Sequence, residues 1–247
     1  MGFGKCGTTA FLDFMGDHPD VIRGEFETFF RYDSEETYKS YIARRRCQPG
    51  GKVLLSKLDN NSNVTKTHFF YPRTKIMIMV CEPVRRVISA FTHYHTVEDG
   101  KVTEEHVQDF MHHQDAFFSC IKNTNRSRPC DELRFFKDYP GEYTDWHSYF
   151  KNIHIIDGDS FKKGPTGQLQ QAEGCLGVQP YFKKSHFVYD IQKGFYCRRV
   201  ANETSCMGPE KGRTHPTLPE QYINRLKQYV KPFNEKFFAL VNRRFAW

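Results

Sequence analysis

The residues best equipped for chemistry open the chain: Gly2-Phe3-Gly4-Lys5-Cys6-Gly7-Thr8-Thr9. An ammonium and two hydroxyls stand in a glycine-rich turn, and Ala10-Phe11-Leu12-Asp13-Phe14-Met15 follows directly. Ala10, Phe11, Phe14 and Met15 share one helical face, so the turn sits at a helix N-terminus. There the free backbone N–H groups, the positive end of the helix dipole, Lys5 and the hydroxyls of Thr8 and Thr9 can converge on one anion. The glycines let the backbone approach it closely. A nucleotide-triphosphate loop requires Gly-x-x-x-x-Gly-Lys-[Ser/Thr]. Here Lys5 precedes Thr8 by three residues, and the glycines are closer together. The turn is a phosphate cradle of another kind or a plain capped turn, and the rest of the chain must decide.

Further along, Glu25-Phe26-Glu27-Thr28-Phe29-Phe30 alternates carboxylates with aromatics. In an extended segment this puts Glu25 and Glu27 on one face. A carboxylate near an anion cradle suits a general base that deprotonates an attacking hydroxyl. The alternative is a surface pair on an edge strand. Lys57 ends the short strand Lys52-Val53-Leu54-Leu55-Ser56-Lys57 and could reach an acidic substrate. Lys211-Gly212-Arg213-Thr214-His215-Pro216 is a second candidate anion turn. His93, His95, His112 and His113 do not share helix faces at their spacings, which argues against a metal site.

These side chains need a scaffold. Thr74 to Cys81 is the strongest buried-strand signal, a continuous apolar run that suits a parallel strand covered on both faces. Glu82-Pro83 turns it into a helix over Val84 to Tyr94, with Arg85, Arg86 and Ser89 in its first turns. In a doubly wound sheet that turn lies at the ligand-binding carboxyl edge. Val21 begins a strand after His18-Pro19, and Asn152 to Asp159 is a second buried strand. Helices are expected over Ser34 to Arg46, Glu104 to Phe118 and Leu169 to Leu176. Two more close the chain, separated at Lys231-Pro232. Asn60 to Lys66 reads as polar loop.

At 247 residues with no linker or repeat, the chain reads as one domain over 1–247. Its 23 Phe and 13 Tyr predict an aromatic core. A net charge of +7 suits a polyanionic partner. No recognised nucleic-acid module is present, and no apolar run is long enough to cross a bilayer. Met1 abuts the cradle where a preceding strand is expected, so the first strand reads as truncated, and any membrane anchor would belong to a segment absent from this chain. Four Asn-x-Ser/Thr sequons point mildly to the secretory lumen. So do two cysteine pairs that could close small loops, Cys120 with Cys130 and Cys197 with Cys206.

Three separated features coincide: Gly-x-x-Lys-x-Gly-Thr-Thr, a strand-Pro-x-x-Arg-x-x-Ser helix, and Lys-Gly-Phe-Tyr-Cys-x₈-Cys followed by Lys-Gly-Arg-x-His-Pro. Together they resemble the Golgi heparan sulfate sulfotransferases, most of all the glucosamine 3-O-sulfotransferase branch. The resemblance implies an α/β fold with a P-loop-like central parallel sheet flanked by helices, and a Golgi-lumenal enzyme. It implies sulfuryl transfer from 3′-phosphoadenylyl sulfate (PAPS), with no metal, to an acidic heparan sulfate-like polysaccharide rather than a nucleic acid. By the same resemblance, Lys5, Cys6, Gly7, Thr8 and Thr9 hold the 5′-phosphosulfate and Ser89 the 3′-phosphate. Tyr196, Lys211, Gly212, Arg213, Thr214 and His215 line the nucleotide. Glu27 is the catalytic base, Lys57 a substrate-side lysine, and Cys197–Cys206 the family's disulfide. The chain departs from the pattern where the family has Arg before the loop lysine (here Gly4) and His two residues after the catalytic Glu (here Phe29). The family's Arg-Asp-Pro, whose Arg clamps the 3′-phosphate, reads Cys81-Glu82-Pro83 here, which puts Cys81 among the donor contacts and makes Arg85 or Arg86 a candidate substitute. A non-catalytic glycosaminoglycan- or nucleotide-binding module of the same fold, or a sulfotransferase acting on another glycan, is the alternative.

Overall fold

A computed structural model describes residues 3–24, 53–57, 63–96, 101–123, 130–200, 203–208 and 212–247. Glu25, Glu27, Phe29, Lys211 and the helix expected over 34–46 lie outside them. The chain forms two compact units, Met1–Cys81 with Tyr143–Gly212, and Glu82–Glu142 with Arg213–Trp247.

The first unit is built on parallel strand pairs. β1 (Val21–Arg23) pairs with β2 (Val53–Leu55), and β3 (Ile76–Val80) pairs with β4 (Ile153–Asp157). Every residue of β3 is buried, which is why its sequence is continuously apolar rather than alternating. The register sets Val80 beside Asp157, so both strands end at one carboxyl edge. Three helices cover this frame. The apolar face of α1 (Thr8–Met15) buries Phe11, Leu12, Phe14 and Met15. Phe11 and Phe14 each meet Phe161, on α6 (Gly158–Lys163), at 5.7 Å. α7 (Pro165–Leu176) contributes Glu173, buried with His18. The His18 Nε2 lies 2.9 Å from the Gln179 carbonyl, while its Nδ1 accepts from Asp20 N–H at 3.0 Å. Glu173 accepts from the Tyr181 and Phe182 N–H groups, both at 2.8 Å. A further helix, α2 (Val64–Phe70), begins on Asn63, whose side chain accepts from Lys66 N–H. The expected loop over Asn60 to Lys66 is therefore cut short: a capping asparagine starts a helix inside it.

The unit is completed by the antiparallel meander β5 (Phe187–Asp190), β6 (Phe195–Val200) and β7 (Glu203–Ser205). Cys197 and Cys206 are disulfide-bonded there. Arg198 ties β6 to the end of α1, at 2.8 Å from Asp17 and 3.5 Å from Asp13. Asp13 also pairs with Arg23.

The second unit is helical: α3 (Pro83–His95), α4 (Glu104–Lys122) and α8 (Glu220–Leu240), with α5 (Tyr139–Tyr149) beginning in it. Val84, Phe117, Phe118, Leu133, Leu226 and Val230 form one core cluster, and Val87, Phe91, Phe110 and Leu218 another. Phe91 and Phe110 stack at 4.4 Å. The Cys120–Cys130 disulfide closes the end of α4. The two expected closing helices are one, α8, with Pro232 inside it. A proline lacks the N–H for this turn and costs about 3 kcal/mol in a helix interior. The helix continues because Tyr222, Leu226, Val230, Asn234, Phe237 and Phe238 keep one buried face on both sides of it.

Candidate active site

The opening turn is fastened to the carboxyl edge of β3 and β4. Phe3 N–H donates to the Met79 carbonyl at 2.9 Å, and Cys6 N–H to the Phe3 carbonyl at 3.2 Å. Cys6 forms a disulfide with Cys81, immediately past β3. The Cys6 carbonyl rests against Gly158, where a Cβ would come within 2.4 Å of it and 2.9 Å of the Val80 carbonyl. Only glycine permits that approach. Between these fixings the backbone is left-handed twice, at Lys5 (φ 78°) and Gly7 (φ 102°). Gly7 is the N-cap of α1, and no side chain caps that helix. Its first N–H groups are thus left to a ligand or to solvent, with the positive end of the dipole beside Lys5, Thr8 and Thr9.

A cavity opens against the first turns of α1, lined by Thr8, Phe11, Leu12, Leu55, Ser56, Lys57, Met77, Met79 and Ile156. The structure therefore brings Lys57 to the same place as Thr8, through the pairing of β2 with β1. Ser56, which the sequence reading passed over, lines this cavity with its Oγ buried and without a hydrogen-bond partner. A hydroxyl so placed is a donor held ready for a polar ligand group. The walls are otherwise apolar, which strengthens any charge interaction made at the cavity's edge.

Other predicted residues stand elsewhere. Cys6 and Cys81 are bonded to each other and buried, so their thiols are spent. They retain only backbone groups to offer, and Cys81 supplies no side-chain clamp. Tyr196, on β6, packs edge-on against Tyr189 at 5.2 Å and does not line the cavity. Gly212 adopts φ 71°, and a Cβ there would come within 2.9 Å of Phe195.

The second unit holds the remaining candidates. Glu82 caps α3, accepting from Val84 N–H at 3.0 Å and Arg85 N–H at 2.6 Å. Of the two arginines that might replace the missing clamp, Arg86 is buried and donates to the Phe135 carbonyl at 2.7 Å. Burial lowers its pKa from the ordinary value. Arg85 is exposed and Ser89 half-buried on the same helix. Arg213 approaches His93 Nδ1 at 3.1 Å, a partnership that requires the unprotonated nitrogen and that linear spacing does not reveal. Thr214 and His215 follow it in the chain.

The sulfotransferase domain family model matches residues 1–239. Human heparan sulfate glucosamine 3-O-sulfotransferase 6 is 26% identical over 260 residues, covering 100% of this chain and 72% of that protein. Human heparan sulfate glucosamine 3-O-sulfotransferase 3A1 is 26% identical over 269 residues, covering 100% and 61%. A sulfotransferase from Alicyclobacillus acidocaldarius matches with a TM-score of 0.66 at 17% identity, covering 100% of this chain and 95% of that one. That likeness speaks for the fold, which is the α/β class expected from the strands and helices above. Because the domain match begins with the cradle and runs through both units, the chain belongs to the sulfotransferase family.

Proposed function

We propose that this sulfotransferase transfers a sulfuryl group from PAPS to a glucosamine hydroxyl of heparan sulfate. The observation that carries the reading is the cradle itself: an uncapped helix start, a lysine held at positive φ and two threonines, fixed to the carboxyl edge of a parallel strand pair. That donor set suits the phosphosulfate of PAPS, which supplies the sulfuryl group and departs as the 3′,5′-bisphosphate. The named relatives act on heparan sulfate glucosamine, which supports the acceptor class. The domain match at 1–239 supports reading the two units as one sulfotransferase domain. Three disulfides among the described residues support an oxidising compartment such as the Golgi lumen. No helix among the described residues is long and apolar enough to cross a membrane.

In this mechanism Glu27 takes the proton of the acceptor hydroxyl as that oxygen bonds to sulfur. Lys5 and the N–H groups of Thr8 and Thr9 stabilise the charge that develops as the sulfur–phosphate oxygen bond breaks. Lys57 orients the acceptor's anionic groups from the cavity's edge. Ser89, Arg213, Thr214 and His215 hold the 3′-phosphate and nucleotide, together with Tyr196, Lys211 and Gly212, and Arg85 takes the role of the missing clamp. None of these roles requires a metal ion.

The test is sulfate transfer from PAPS to heparan sulfate by the protein and by Glu27→Gln. Transfer by the native protein and a fall of about 100-fold or more in the variant is the expected result. The loss of a clamp at Cys81 favours a second reading, a binding module that does not transfer. Intact PAPS binding with no transfer by either protein would select it.

A further inference from the structure

We propose that the Cys6–Cys81 disulfide is the positioning device of the donor loop, holding Lys5 and the start of α1 in the anion-binding arrangement. The inference rests on the reading of that loop as the PAPS site. The other two described disulfides join cysteines 9 and 10 residues apart. This one joins residues 75 apart and enters the middle of the cradle, between Lys5 and Gly7. Both sulfurs are shielded from solvent, with Cys6 0% and Cys81 1% exposed.

The local backbone explains why a covalent tie is needed. Lysine at φ 78° is in a region that side-chain-bearing residues occupy only when their surroundings impose it. On one side Phe3 is held by the Met79 carbonyl. On the other, the Cys6 carbonyl is seated on Gly158, and its side chain is bonded to Cys81, the residue that follows β3. Lys5 is thus pinned between two fixed neighbours, both fastened to the same strand. An unpinned lysine would relax to negative φ and turn its ammonium, and the peptide groups around it, away from the anion. The position that carries a clamping arginine in the family here carries the other half of this tie.

The test compares the native protein with Cys6→Ala/Cys81→Ala and with Cys6→Ala/Cys81→Val, which refills the apolar space should the first variant fold poorly. Cys120→Ala/Cys130→Ala serves as the control for loss of a disulfide as such. A positioning role predicts that the dissociation constant for PAPS rises about tenfold or more and that kcat at saturating donor falls with it, because Lys5 also faces the developing charge, while the acceptor KM changes less than about threefold. It also predicts faster hydrogen exchange of the amides of residues 5–9. The control loses thermal stability and keeps its donor affinity. A folded variant that binds PAPS within about twofold of the native protein overturns the proposal. If the native protein binds no PAPS, the assignment of the donor fails separately. The exchange rates then decide: acceleration at residues 5–9 keeps the disulfide as the holder of the loop, and unchanged rates overturn it.

Discussion

Two helices start close to the end of β3 in sequence or in contact, and they treat their N-termini in opposite ways. α3 begins one residue after Glu82, whose carboxylate accepts from both Val84 and Arg85 N–H groups. Its first N–H groups are already taken by a negative side chain, so an anion beside this helix must be held by side chains such as Arg85 and Ser89 rather than by the helix start. α1 begins on Gly7, with no side-chain cap. α7 and α8 also start without one, but neither has a lysine at positive φ and two threonines beside it. The difference teaches that a strand-to-helix turn is not in itself an anion site. What matters is whether the sequence supplies the anion internally. At α3 it does, through Glu82, and at α1 it leaves the place open.

The sharpest way to break this contrast is to give α1 what α3 has. Gly7→Asp places a carboxylate at the helix start and a side chain at φ 102°. Transfer should fall by at least about 100-fold, through repulsion of the donor and displacement of the loop. Donor titration and turnover assays check it, and retained activity would mean that the anion does not bind at α1. Next in size, Lys5→Ala removes the ammonium but leaves the helix start open. It should cost about 100-fold in kcat/KM, or roughly 3 kcal/mol of transition-state stabilisation, with the protein still folded. The reverse change is weaker. Glu82→Ala uncaps α3 and should lower stability by about 1 kcal/mol in thermal or denaturant unfolding. Donor affinity should move little, since the 3′-phosphate is held by the Arg85 and Ser89 side chains and not by the N–H groups that Glu82 occupies.

How far the sequence disclosed all this depends on the range of the interaction. β3, β4 and the buried face of α1 were legible because apolar periodicity is a local signal that burial then satisfies. The cradle was legible because its glycines, lysine and threonines are contiguous. The Cys197–Cys206 pairing was legible from short spacing and resemblance, and the structure forms it. The Cys6–Cys81 bond was not, since it depends on how Phe3 and Gly158 seat the loop beside β3, across a separation of 75 residues. In the chain-entropy model a closure of that length is worth about 4 kcal/mol, far more than any local cue could suggest. Ser56 looked like an ordinary strand residue until β2 carried it to the cavity. Pro232 misled in the other direction: its local cost is real, but the apolar face of α8 outweighs it.

The smallest expected effect carries the comparison of the two units into acid. In the first unit, Asp17 follows α1 and pairs with Arg198, yet its pKa is raised, because burial outweighs the arginine, with Asp13 adding repulsion. In the second, Asp115 on α4 accepts from Arg225 at 2.7 Å and Tyr222 at 2.8 Å, and its pKa is lowered, chiefly by the bond from Arg225. The two carboxylates therefore act on stability with opposite signs. Asp115 binds its proton less readily folded than unfolded, so its contribution is full above the ordinary value of 3.8 and is lost as pH falls through its folded pKa, below 3.8. Asp17 binds its proton more readily folded, so its ionisation weakens the fold at neutral pH. That penalty is relieved as pH falls through its folded pKa towards 3.8. Unfolding measured against pH should show the native protein losing its advantage over Asp115→Asn below pH 3.8, by no more than about 1 kcal/mol at so exposed a pair. Against Asp17→Asn it should gain as pH falls towards 3.8 from above. Parallel curves for the two variants would mean that Arg198, and not burial, governs Asp17, and that the far end of α1 is as open to solvent as α4.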